Sequence, residues 1–167
     1  DPINIIEIDQ KEGLDIDTHA DWAIAKHYQN LRKILIRADA GKTFGMGHVY
    51  RAITLAQELS HHQPVLATRI TDDDDLGYNF LKDYPYELHR FETDEAFSKF
   101  AIDERFDYIF LDQLSTSPEY IQALKKSGAK VITFEDLGEG ALVADLVIND
   151  LYKIPNISDQ KQLHGLK

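Results

Sequence analysis

The sequence predicts an α/β protein built on a doubly wound parallel sheet, preceded by a short N-terminal extension. Three observations lead there. From Lys33 onward, short apolar runs alternate with stretches whose apolar residues recur at helical spacing. One run, Tyr108-Ile109-Phe110-Leu111, is apolar almost throughout, as a strand covered on both faces requires. The first run, Ile34-Leu35-Ile36, leads through a glycine-bearing loop into a helical pattern. That is the strand–loop–helix order at which open α/β sheets place their ligands.

Taken in order, Ile34-Leu35-Ile36 is the first strand. The pattern over 48–61 is a helix whose stripe is Val49, Ala52, Ile53, Ala56 and Leu59, with His48, Arg51 and Glu58 off it. Pro64 to Thr68 is the second strand. Asp73 to Tyr84 reads as a helix with the acids of Asp72-Asp73-Asp74-Asp75 in its first turn, where its dipole favours them. That run is read as a solvated turn rather than a metal site. Tyr86 to Arg90 is the third strand, and 94–104 a helix behind Thr93 as N-cap. After the strand at Tyr108 to Leu111, Ser117 to Ser127 is a helix with Pro118 at its first position and Gly128 just past its end. Val131 to Phe134 and Leu146 to Ile148 complete the sheet. Ahead of this pattern, Ile3 to Ile8 reads as a lone strand, and Thr18 caps a short helix containing Asp21, Trp22, Ala25 and Tyr28.

Composition narrows the partners. The 167 residues carry a formal net charge of -11, so the chain repels phosphate backbones and anionic membrane surfaces. The charge speaks against nucleic acid and membrane as partners, while a small anionic ligand stays open because a local site can oppose the global charge. There is no cysteine, hence no disulfide and no thiolate metal site, which fits a cytoplasmic protein. No apolar stretch approaches membrane-spanning length.

The loop from Arg37 to Arg51 carries the chemistry. Gly45 and Gly47 let a ligand approach the backbone, and the N–H groups of the helix that follows favour an anion. His48 sits at that turn with Arg51 one turn on. A general base beside a cationic anchor suits a phosphorylated or nucleotide-linked substrate. A helix N-terminus should also favour the neutral imidazole, the form a base needs. Arg51 reads as a phosphate or sugar ligand or as an ordinary exposed charge. Asp39, ending the first strand, either caps the loop or orients His48 or a sugar hydroxyl. Asp112 and Asp136, also at strand ends, either face the same cleft or cap the following loops. Two other motifs fit less well, the second not at all. A dinucleotide fingerprint needs a third small residue where Tyr50 stands, and a P-loop would place its first glycine at Ile36, inside the strand.

Arg37-Ala38-Asp39, then Gly45-x-Gly47-His48, Arg51 and Leu55-Ala56 resemble the opening of the UDP-sugar hydrolases of pseudaminic acid biosynthesis, relatives of GT-B glycosyltransferases. Phe110-Leu111-Asp112 is similar to that family's strand ending in Asp. Phe134-Glu135-Asp136-Leu137 is similar to its Asp-Asp-Leu, with Glu in the first acidic place. Ala144-Asp145-Leu146-Val147-Ile148-Asn149 is similar to its strand ending in Asn. The resemblance runs over about residues 33 to 167. It implies a Rossmann-like domain, the N-terminal half of a GT-B fold, with His48 activating water at the anomeric carbon to release UDP. It assigns Asp39, Gly45, Gly47, Arg51, Asp112 and Asp136 to the sugar-phosphate site and needs no cofactor.

The extension resembles something else. Asp15-Ile16-Asp17-Thr18 followed by Asp21-Trp22 is similar to the carboxyl-terminal end of CMP-sialic-acid synthetases, which are cytidylyltransferases. There Asp15 and Asp17 resemble acids that help hold Mg²⁺. The two resemblances imply a domain remnant at 1–31 and a hydrolase domain at 32–167. They imply a fragment of a nonulosonic acid biosynthesis enzyme, its second Rossmann-like domain missing, inactive alone and a possible homodimer as the parent. The alternatives are a GT-B glycosyltransferase domain using a nucleotide-sugar donor, and a non-catalytic docking module of a bifunctional cytidylyltransferase.

Overall fold

The computed structural model describes residues 6–8, 13–41, 45–70, 75–149 and, as backbone alone, 162–164. The chain divides into two compact units, Asp1–Leu31 and Arg32–Lys167.

The first unit holds one helix, α1, His19–Asn30. Thr18 is its N-cap: the Thr18 Oγ1 accepts from the Asp21 N–H at 3.2 Å, and an Asp21 carboxylate oxygen accepts from the Thr18 N–H at 2.8 Å. This reciprocal capping box satisfies two of the amides a helix start leaves without partners. The strand expected over Ile3 to Ile8 is not formed where it is described. Ile6, Glu7 and Ile8 are irregular and exposed, and Ile3 to Ile5 lie outside the described residues. A single strand has no neighbour to complete its backbone hydrogen bonds, so its pattern alone does not hold it extended.

The second unit is a sheet with helices on both faces. Its elements are β1 (Lys33–Ala38), α2 (Gly47–Glu58), β2 (Gln63–Arg69), α3 (Leu76–Leu81), β3 (Glu87–Phe91), α4 (Asp94–Glu104), β4 (Tyr108–Asp112), α5 (Pro118–Lys125), β5 (Lys130–Phe134), a 3₁₀ turn (Glu139–Leu142), β6 (Leu146–Asn149) and β7 (Gln162–His164). All pairs are parallel, in the order β3-β2-β1-β4-β5-β6-β7. The order reverses between β1 and β4, which makes the crevice outside their carboxyl ends the topological switch point.

Alternation along β1 explains the two layers. Ile34, Ile36 and Ala38 pack with Val49, Ala52, Ile53 and Ala56 of α2 on one face. Leu35 packs on the other with Phe97 and Ala101 of α4 and Ile121 and Leu124 of α5. Both faces of the central strands are thus dry, as their continuous apolar runs require.

Three elements depart from expectation. The helix expected over Asp73 to Tyr84 spans only Leu76–Leu81. Asp75 precedes it in a left-handed conformation, φ 49°, while Asp72, Asp73 and Asp74 lie outside the described residues. At the far end Pro85 disfavours helical geometry for Tyr84. The short strand β7 and the 3₁₀ turn had no periodic signature, being too short to show one.

Candidate active site

The switch point gathers one dyad and its clamp. His48 lies in the first turn of α2, and Asp112 ends β4, opposite Ala38 of β1. His48 Nδ1 and Asp112 Oδ1 are 2.6 Å apart. Arg51, one turn along α2, donates from Nε to Asp112 Oδ2 at 2.6 Å and from Nη2 to Oδ1 at 2.9 Å, a bidentate pair. The same guanidinium reaches Glu135, just past β5, with Nη2 3.1 Å from Oε2 and Nη1 3.1 Å from Oε1. Asp112 is 3% exposed, so its charge is balanced by these partners rather than by water.

Since an ionised carboxylate only accepts, the contact places the proton on His48 Nδ1 and the lone pair on Nε2. The expected lowering of the His48 pKa is overturned. The hydrogen bond to Asp112 raises it from 6.5, against burial and the Arg51 charge, with Glu135 adding to the rise. An anion in contact outweighs a helix dipole whose effect is a fraction of a charge.

The loop glycines sit as the strand–loop–helix reading requires. Gly45 takes φ +72°, a left-handed conformation, and donates its N–H to the Gly41 carbonyl at 2.8 Å. Gly47 opens α2 with nothing within 4 Å of where a Cβ would stand. Met46, the N-cap, offers no side-chain acceptor to the first turn. Those amides need another partner, and an anion is one that fits.

The other predicted residues bond to other partners. Asp39 does not touch His48. It accepts from the Arg69 N–H at 2.9 Å and from Gln113 Nε2 at 3.3 Å, and pairs with Arg37 Nη2 at 3.0 Å. It still lines a cleft of about 230 Å³ with His48, Asp112, Gln113 and Arg69. Asp136 is fully buried, and its carboxylate accepts from the Thr116 hydroxyl and N–H and from the Gly138 N–H. Burial holds its pKa above the usual carboxylate range. It ties two loops together, and the acid that reaches the dyad is its neighbour Glu135. Nothing but the paired acids of the Glu135-Asp136 motif pointed to that residue in advance. Asp15 and Asp17 are exposed, and the Asp15 carboxylate accepts from the adjacent Ile16 N–H. Among the described residues no three His, Cys, Asp or Glu side chains come together as a metal site.

A second buried polar cluster sits beneath the cleft. Arg37, 1% exposed, pairs with Asp39 and with Asp94 at 2.7 Å, donates to the Tyr120 hydroxyl at 2.7 Å and lies 4.8 Å from the Phe97 ring centroid.

No family model matches the chain, and no curated protein is similar to it in sequence. Its structure is similar to a solved one. MurG of Acinetobacter baumannii superposes with a TM-score of 0.57 at 14% identity, over 79% of this chain and 44% of that one. The chain has the fold of one Rossmann-like half of a GT-B protein. It spans under half the length of that relative. Initiation factor eIF-2B of Pyrococcus horikoshii OT3 is more distant, with a TM-score of 0.43 at 12% identity over 80% of this chain and 46% of that one. No described helix is long and apolar enough to cross a membrane.

Proposed function

We propose that the second unit is the catalytic N-terminal half of an inverting UDP-sugar hydrolase acting on a diacetamido-trideoxyhexose of nonulosonic acid biosynthesis. The observation that carries this reading is the His48–Asp112 contact at the mouth of the switch-point crevice, beside a helix start without a side-chain cap. His48 Nε2 accepts a proton from water as the water oxygen bonds to the anomeric carbon. The bond from that carbon to the diphosphate oxygen breaks, and UDP leaves with the electron pair. Asp112 stabilises the imidazolium that forms. The α2 N-terminus, opened by Gly45 and Gly47, faces the leaving diphosphate. A second Rossmann-like domain of the same polypeptide holds most of the nucleotide.

The fold likeness to MurG, a GT-B glycosyltransferase, favours a second reading in which the same base activates an acceptor hydroxyl instead of water. One assay separates the two: UDP release from a UDP-2,4-diacetamido-trideoxyhexose by the full-length protein, with and without acceptor sugars, beside His48→Ala. Acceptor-independent release lost in the variant supports hydrolysis. Release only with acceptor supports transfer. Unchanged release in the variant sinks both.

A further inference from the structure

We propose that Arg51 is a positioning residue, clamped between Asp112 and Glu135 to govern the protonation of His48, rather than a ligand for the substrate's phosphate. This rests on His48 being the base, yet its test needs no turnover.

All three guanidinium nitrogens of Arg51 already face carboxylate oxygens, two on Asp112 and two on Glu135. The guanidinium carbon also lies 5.5 Å from the Phe134 ring centroid, within cation–π reach. Four of the guanidinium's five N–H donors are thus taken, so a phosphate reaching it could accept from only one Nη1 N–H unless it displaced a carboxylate, and it would lie beside Glu135, a like-charge contact. The free first-turn amides of α2 offer an anion site without that conflict.

Glu135 is held for this contact. It has φ 49°, which L residues with a Cβ rarely adopt, and its N–H is locked to the Ile148 carbonyl at 2.9 Å. Glycine would sit there with less strain but would leave Arg51 without its second carboxylate. So one cation is shared by two acids. One of these, Asp112, is buried against His48. Arg51 weakens the pull of Asp112 on the imidazole proton, and Glu135 draws Arg51 part-way off. The other charged groups lining the cleft near His48 are Asp39, Arg69 and Asp94, and none of these contacts Arg51.

The test is a histidine-selective NMR titration of the 167-residue chain as wild type, Arg51→Met, Arg51→Lys and Glu135→Gln, with backbone amide spectra as the check on folding. Removing the cation should move the His48 midpoint up, and removing the Glu135 charge should move it down, each by roughly half to one pH unit. Arg51→Lys, which keeps charge but loses the bidentate fork, should fall between wild type and Arg51→Met. Identical midpoints in folded variants overturn the proposal. So does a chain in which Arg51→Met abolishes binding of inorganic phosphate while the His48 midpoint stays put. Shifted midpoints together with full UDP release by His48→Ala in the full-length protein would keep the clamp and remove the hydrolase reading.

Discussion

The His48 ring meets the Asp112 carboxylate at 2.6 Å across 64 residues of chain, because β1 and β4 are neighbours in the sheet. Asp112 both fixes the tautomer and favours the charged imidazole. A base must be neutral to accept a proton, so kcat/KM should rise with pH through a His48 pKa above 6.5. Asp112→Asn should move that limb down and lower kcat by roughly 10²- to 10⁴-fold, since the wrong tautomer becomes accessible. A pH–rate profile of both proteins checks this, and an unmoved limb would detach Asp112 from the chemistry.

The same contact links pH to stability. The folded-state pKa of His48 lies above its unfolded value, so the contact's contribution is fully present below the unfolded value. It is lost as pH rises through the folded value. Urea midpoints of wild type should therefore fall across that window, and those of Asp112→Asn should fall less.

Gly45 and Gly47 separate backbone strain from ligand access. Gly45→Ala forces a side chain into φ +72° and should cost about 1 kcal/mol. Gly47→Ala meets nothing in the structure and replaces glycine in a helix, so stability should hold or rise slightly. If the α2 N-terminus faces the diphosphate, the stable Gly47→Ala protein should still lose activity. Full activity would place the substrate elsewhere.

Asp136 holds two loops together, and Asp136→Ala should show it. The change leaves the buried Thr116 amide and the half-buried Gly138 amide without their acceptor, at a cost of about 2–4 kcal/mol. Chemical denaturation should detect that loss, whereas a carboxylate serving only the substrate would leave stability intact.

Arg37→Met tests the cluster beneath the cleft. It fills similar volume but takes the buried cation from the part-buried Asp39 and Asp94, for a loss of about 1–3 kcal/mol. Pairing the change with Asp39→Asn should recover part of it, and strict additivity in thermal unfolding would argue against coupling.

Much of the fold was legible because parallel strands buried on both faces must be apolar, and packed helices must show a stripe. Ile109 to Leu111 and the Val49–Ala52–Ile53–Ala56 stripe are such cases. Strand order was not legible, nor was β7, whose three residues have no period. In the site, His48 and the glycines stood out because loop chemistry is local. Their partners did not. Asp39, Asp112 and Asp136 all lie at or just past strand ends and look alike in sequence, yet only Asp112 bonds to His48.

What the sequence determined by itself is therefore local: most of the strands and helices of the second unit, the N-cap at Thr18, and a glycine-opened helix start with a histidine on it. These follow from backbone geometry and from contacts a few residues apart. Only the tertiary structure decided which acid partners the histidine, that Arg51 is shared between Asp112 and Glu135, and that the net effect favours the charged imidazole. Those depend on side chains brought together by strand order and shielded from water. There, contact distance and burial outweigh any feature of the neighbouring sequence.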